Sequence, residues 1–456
     1  MTATDAETAD LAVGRPGRTP LPAVGAAAAY DGAPPARTVD IDVARAVAML
    51  GMAITHYGGR LPGHMRPNEV ISFWDGRAMP LFLVVSGYAM SRFVTTRDRT
   101  GAEVAGRAAA LLLLGLLLEH QVGAFVILQF YGLYYAGVWA LRRASAGTLI
   151  GVGALVALAG AGLNVYALGW LESLSGAVPP APDHAGELGL LLHPITLALQ
   201  LTVLGAYAFL PSFSFVIVGM VLARARRLDA SRVIVAGLAV LACSMAVTSA
   251  AQAIHPEPRG YVRDASGTPH LTAERLRQLS SRARMTPESF LRSRLGPHPD
   301  EQDVIALAAL PDGSWRSPWR LVSADRHSQM LGWVGSAAGI ALVIIGLCAA
   351  LGRRKGRLRR YLAAAGTCSL TFYVAHLLLI NLYWNGFRDW GMHPAGGVLK
   401  AVAVFCSFVV AAALWRQRHR RGPLEAVVAR VGLAAVQMAG VVRRPMSRIG
   451  RARAGR

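Results

Sequence analysis

The chain of 456 residues is 54% hydrophobic and only 16% charged, with a formal net charge of +21 and a mean hydropathy of +0.39. That balance excludes an ordinary soluble domain, where about a quarter of residues are charged. It also argues against a nucleic-acid partner, because the excess Arg flanks apolar stretches and fills the tail, where residues 416–456 hold eleven Arg against one Glu. Anionic membrane lipids are the partner this pattern fits.

In chain order, residues 1–38 are rich in Ala, Pro, Gly and Thr and lack a charged start followed by an apolar run. They read as a disordered cytoplasmic leader rather than a signal peptide. Ten apolar stretches follow, at 39–57, 76–94, 105–120, 122–141, 148–170, 196–222, 231–252, 329–351, 361–384 and 395–415. Each is of the order of 20 residues, enough to cross a hydrocarbon core of about 30 Å, and each must be helical because lipid offers backbone amides no partners. The expected fold is therefore an all-α polytopic bundle, with spans 1–7 in 39–252 and spans 8–10 in 329–415.

The Arg-rich flanks at 97–99, 142–143, 224–227, 353–360 and 416–421 fall on one side, which the positive-inside rule makes the cytoplasm. Both termini are then cytoplasmic. Pro194 and Pro211 are positions where the sixth span could be broken. Residues 253–328 form a polar external insertion with eleven Arg and nine acidic residues. Helix-like spacing at Leu271–Leu279 and Thr286–Leu295 suggests a small helical cap over the outer face. After the last span, 416–456 is a basic cytoplasmic tail whose Leu424–Val442 segment reads as an interfacial amphipathic helix. Cys243, Cys348, Cys368 and Cys406 show no paired spacing and are expected to pack, with no metal site.

Chemistry must come from polar residues that the bilayer penalises. Arg45 and His56 lie eleven residues apart in the first span, which returns them to one helix face roughly 16 Å apart along the axis. Asp42, three residues before Arg45, can neutralise it, and Arg45 can alternatively face an anionic donor arriving from the cytoplasm. His56, near the outer end, has the titration range of a general base. Ser86 lies in the Phe82–Tyr88 stretch of the second span, and His376 lies deep in the ninth, close to Ser369 and Tyr373. His64 in the first external loop competes with His56, while Asp75, Glu119, His120 and His327 gather at the outer boundary.

Asp42, Arg45 and His56, with Phe82–Tyr88 and Ser369–His376, together resemble the transmembrane acyltransferase superfamily. That group includes the acyltransferase-3 proteins, the heparan-α-glucosaminide N-acetyltransferase type and the bacterial YeiB-like proteins. Trp415 with Arg421–Glu425, and His327 with Ser328 before an apolar span, are similar to motifs of the YeiB-like branch. The chain departs in having Ala46 where Gly commonly follows the first-span Arg, and in its long insertion.

The resemblance implies transfer of an acyl group, often acetyl from acetyl-CoA at the cytoplasmic face, to a hydroxyl or amine of a carbohydrate, lipid-linked glycan or small metabolite. It implies a bacterial plasma membrane and is compatible with a homodimer. His56, His64 or His376 would then do the proton chemistry, Arg45 and Asp42 would serve the donor, and His376 or Tyr373 would support the oxyanion. Asp75, Ser86, Glu119 and His327 would support the site. The rival expectation is a transporter or lipid flippase, since polar groups inside a bundle also mark substrate pathways.

Overall fold

The computed structural model describes residues 39–57, 69–96, 99–122, 126–175, 202, 208–225, 229–254, 261–263, 269–271, 276–277, 280, 286–287, 321–324, 327–351, 356–386 and 394–453. Among them the chain forms thirteen helices and one two-stranded sheet. The helices are α1 (Val39–Tyr57), α2 (Glu69–Trp74), α3 (Ala78–Val94), α4 (Gly101–Val122), α5 (Phe130–Ala140), α6 (Ala146–Ser175) and α7 (Phe209–Arg224). Then come α8 (Ala230–Ile254), α9 (Leu331–Leu351), α10 (Arg357–Thr367), α11 (Ser369–Gly386), α12 (Pro394–Arg418) and α13 (Pro423–Arg453). The leader, the loop holding His64 and the start of the sixth apolar stretch, with Pro194, lie outside the described residues.

The fold is an all-helical membrane bundle. Among the described residues α4, α6, α8, α9 and α12 are long and apolar enough to cross a membrane, and α10 with α11 makes a sixth span if the bent pair counts as one. The count of ten expected from the sequence exceeds this. α3 has 17 residues and α7 has 16, which rise about 25 Å against a core of about 30 Å. α5, at 11 residues, is shorter still.

Small residues bring the helices together, as expected where lipid tails remove the hydrophobic drive between spans. α3 crosses α7 at a mutual contact: a Cβ on Gly87 would meet the Val216 carbonyl, and one on Gly219 would meet the Val84 carbonyl. Gly237 on α8 and Gly339 on α9 make a similar seam. The faces turned outward carry Leu155, Val235, Leu238, Leu399 and Leu414, all exposed. They form the apolar belt a bilayer would cover.

Two ends of the bundle differ in chemistry. At one end Arg224, closing α7, donates to Ser91 Oγ at 3.0 Å and to the carbonyls of Arg142 at 2.9 Å and Ala144 at 3.2 Å. This gathers the ends of α3, α5 and α7. The starts of α1 and α10 join through Asp40 and Arg359 at 3.0 Å. The opposite end carries Trp74, Asp75 and His327, and there Trp333 Nε1 donates to the Gly76 carbonyl at 2.9 Å.

Three features refine these expectations. The ninth apolar stretch is bent by 76° between α10 and α11 at Cys368, so a residue expected only to pack sits at the break of a span. Pro211 falls in the first turn of α7, where its missing N–H is harmless, so the sixth stretch is interrupted at Ala208, just before α7, rather than within a helix. The described start of the insertion is an antiparallel pair, β1 (Tyr261–Arg263) and β2 (Pro269–Leu271), with Val262 opposite His270, ahead of the expected helices, of which residues 276, 277 and 287 are described and helical. The tail helix does form, as the long α13, but it also packs on α4, with Gly106 against Ala435 and Gly432 against Glu103 and Arg107.

Candidate functional site

α1 carries Arg45 and His56 to opposite ends of the site, as their spacing requires, and each meets a different half of the bent span. Arg45 Nη1 donates to Asp42 Oδ1 and to the Gly366 carbonyl, both at 3.2 Å. The first bond closes one helical turn within α1, and the second ties α1 to α10. A Cβ on Gly366 would strike the Asp42 carbonyl, so the absence of a side chain there lets Arg45 reach across.

Arg45 lines a cavity of about 270 Å³. Its walls include Phe82, Ser86 and Met90 from α3, Arg107 from α4, Tyr131 and Tyr135 from α5, Tyr373 from α11, and Glu425 from α13. Ser86 Oγ and Tyr131 Oη are hydrogen-bonded at 2.8 Å. Tyr373 Oη accepts the Ile127 N–H at 3.1 Å and its ring stacks on Phe82. The cavity is aromatic and apolar with charge at one end, which suits a ligand with a slender apolar part and an anionic head.

At its charged end the buried Glu103 accepts from Arg99 at 2.8 and 3.0 Å and from Arg107 at 3.0 Å. Both guanidinium groups also lie over the Phe93 ring, at 4.7 and 4.2 Å. Two Arg on one carboxylate leave this cluster net positive. Sequence reasoning missed Glu103, Arg107 and Tyr131, although the four-residue spacing of Arg99, Glu103 and Arg107 at the start of α4 was a visible signal.

His56 and His376 meet beyond the cavity. His56 Nδ1 lies 3.0 Å from His376 Nε2, and the two rings are parallel within 2° with centroids 5.2 Å apart. His376 is fully buried, and its Nδ1 lies 3.1 Å from the Phe372 carbonyl one turn earlier. A carbonyl only accepts, so His376 Nδ1 carries a proton, and neutral His376 has its lone pair on Nε2. His56 must then donate from Nδ1, which leaves the lone pair of neutral His56 on Nε2. The geometry thus makes His56 the base of the pair and His376 its orienting partner. Tyr57 Oη donates to the His376 carbonyl at 3.1 Å, and Tyr373, whose ring meets His376 edge-on at 5.4 Å, connects the pair to the cavity wall.

The remaining residues named from the sequence divide. Asp75 Oδ1 and His327 Nε2 come together at 3.0 Å. His327 has a backbone φ of 58°, uncommon for a residue with a Cβ. Glu119 is buried and accepts from Gln129 Nε2 at 2.7 Å, so it braces α4 against the turn before α5. His64 lies outside the described residues.

The protein is thus a helical membrane bundle in which a cavity lined by Arg45, Arg107 and Glu425 and a histidine pair share the two halves of a bent span. A family model described as "Protein of unknown function (DUF418)" matches residues 304–433. That stretch includes His327, Tyr373, His376 and Glu425, but neither Arg45 nor His56. Comparison with curated proteins and with solved structures gives no match.

Proposed function

We propose that this chain is a membrane-embedded acyltransferase that moves an acyl group, acetyl in the simplest case, from acyl-CoA to a hydroxyl or amine. The observation that carries the reading is the proton order of the histidine pair, which leaves His56 Nε2 as a base one aromatic ring away from the cavity that Arg45 and Arg107 line. In this account the basic end is cytoplasmic and admits the donor, and the chain resides in a bacterial plasma membrane with both termini inside. The cavity takes the donor's slender arm and acyl group, with Arg45 and Arg107 beside its anionic end. A carbohydrate or small metabolite approaches from the end that carries Asp75 and His327.

In the transfer step His56 Nε2 accepts the proton of the acceptor hydroxyl or amine while the acceptor oxygen or nitrogen bonds to the thioester carbonyl carbon. The C–S bond then breaks, and the proton on His56 passes to the departing CoA thiolate. The hydrogen bond to His376 steadies the imidazolium formed in between. His376 has no proton to offer an oxyanion, since its Nδ1–H is held by the Phe372 carbonyl, so the oxyanion role considered for it rests instead with Tyr373.

Acetyl-CoA binding to the protein in nanodiscs tests this. Wild type is expected to bind saturably, with free CoA as a competitor. Arg45→Ala is expected to raise Kd about tenfold, equivalent to about 1.4 kcal/mol, and His56→Ala to leave it unchanged. Absence of saturable binding to the wild type would overturn the reading.

One observation favours a second reading. Bent or interrupted spans whose ends face a cavity are common in transporters, and α10 and α11 form such a pair. Substrate flux across proteoliposomes with no acyl donor present would establish that alternative.

A further inference from the structure

Of the motif Arg421–Glu425 only Glu425 touches the cavity, and the motif's residues converge on the break in the ninth stretch. Breaking a helix within a membrane bundle strands the first N–H groups of its second half, and something must satisfy them. Here Glu425 Oε1 accepts from the N–H of Leu370 at 2.7 Å and of Thr371 at 3.3 Å, and Glu425 Oε2 accepts from Thr371 Oγ1 at 2.7 Å. The Leu424 N–H donates back to Thr371 Oγ1 at 3.1 Å. A carboxylate from a different helix therefore does the work of an N-cap for α11, where the helix dipole also favours negative charge.

The neighbouring residues make this reach feasible. Trp415 Nε1 donates to the Arg421 carbonyl at 2.8 Å, which fixes the turn between α12 and α13. A Cβ on Gly422 would displace the Glu425 carboxylate and lie 3.1 Å from Cys368 Cα, so glycine there lets the tail press against the break with the carboxylate in place. Pro423 opens α13, where a missing N–H costs nothing. α11, the helix being capped, is the one that carries Tyr373 and His376.

We infer that Glu425 is a positioning residue for transfer, a latch that sets the register of α11 and so holds His376 Nε2 against His56 Nδ1. This rests on the acyl-transfer reading for its consequence in activity, but the latch and the histidine pairing are observable without a donor. Removing the carboxylate releases the start of α11 by about one hydrogen-bonded turn. His376 lies less than two turns further on, and the 3.0 Å contact with His56 depends on that register.

The test is ring-nitrogen NMR of ¹⁵N-histidine-labelled protein in nanodiscs, on wild type, Glu425→Ala, Glu425→Gln and Thr371→Val, each checked for its thermal midpoint. Wild type is expected to show His56 and His376 both protonated at Nδ1. Folded Glu425→Ala is expected to lose that signature, with both rings moving toward the Nε2–H form that free histidine prefers. Glu425→Gln keeps an oxygen for the two N–H groups and is expected to retain it. Should Glu425→Ala fail to fold, Thr371→Val decides, since it removes the hydroxyl that joins the tail to α11 and leaves the backbone cap; a mixed signature supports the latch. An unchanged signature in folded Glu425→Ala, or in Thr371→Val if that variant decides, would overturn the inference. Loss of the signature in Glu425→Gln would overturn the hydrogen-bonded cap as its cause. Failure of wild type to bind acetyl-CoA would remove the acyl-transfer reading and leave these outcomes intact.

Discussion

Replacing His56 by Ala is expected to lower acyl transfer by about 10²–10⁴-fold, the range a positioned general base contributes, with acetyl-CoA affinity unchanged. The separation follows from the structure: Arg45 and the cavity lie toward one end of α1, and the histidine pair lies at the other. His376→Ala is expected to cost less, about 10–100-fold, because it removes the acceptor that fixes the His56 Nδ1 proton and leaves the base itself in place. Two rates at saturating donor, one per variant, check both statements. Full transfer by His56→Ala would remove His56 from the chemistry, and a larger loss for His376→Ala than for His56→Ala would reverse the two roles.

The first span was legible, because nineteen apolar-dominated positions read as one crossing, and the described residues Val39–Tyr57 are helical throughout. Periodicity puts Arg45 and His56 on one face but cannot say what that face meets: Arg45 meets the carbonyl of Gly366 and His56 meets His376, each more than 300 positions away. The direction of the proton chain was also hidden, since it depends on the Phe372 carbonyl, and every residue has a carbonyl.

The break at Cys368 carries no proline, so the hydropathy pattern ran through it as one span. What satisfies the freed groups there is tertiary: Glu425 accepts the N–H groups of Leu370 and Thr371 from across the bundle. The motif around Glu425 was visible in the sequence as a motif, while its physical role required seeing the tail fold back. The charged cluster of Arg99, Glu103 and Arg107 was passed over because its positions flank the start of a span, where Arg ordinarily reports only orientation.

Gly366→Ala tests whether α1 and α10 are pressed together as closely as the site demands. The added Cβ would meet the Asp42 carbonyl and lie 3.0 Å from Asp42 Cα. These are backbone atoms, which cannot swing aside as the tip of a side chain can. α1 must therefore move away as a unit, and it carries Arg45 from the cavity wall and His56 from His376 together. Overpacking a close contact typically costs 1–3 kcal/mol, and a backbone clash belongs at the upper end, so a loss of about 3 kcal/mol is expected. It should appear as a thermal midpoint in detergent lowered by several degrees, with donor affinity and transfer rate falling in the same variant. Gly151→Ala on α6 is the control, because a Cβ there meets nothing within 4 Å and alanine favours the helix by up to about 1 kcal/mol. It is expected to leave affinity unchanged and the midpoint equal or higher. Equal midpoints and affinities for Gly366→Ala and wild type would show that the helices can part at this point without disturbing the site, and the coupling of the two ends through α1 would be lost with it.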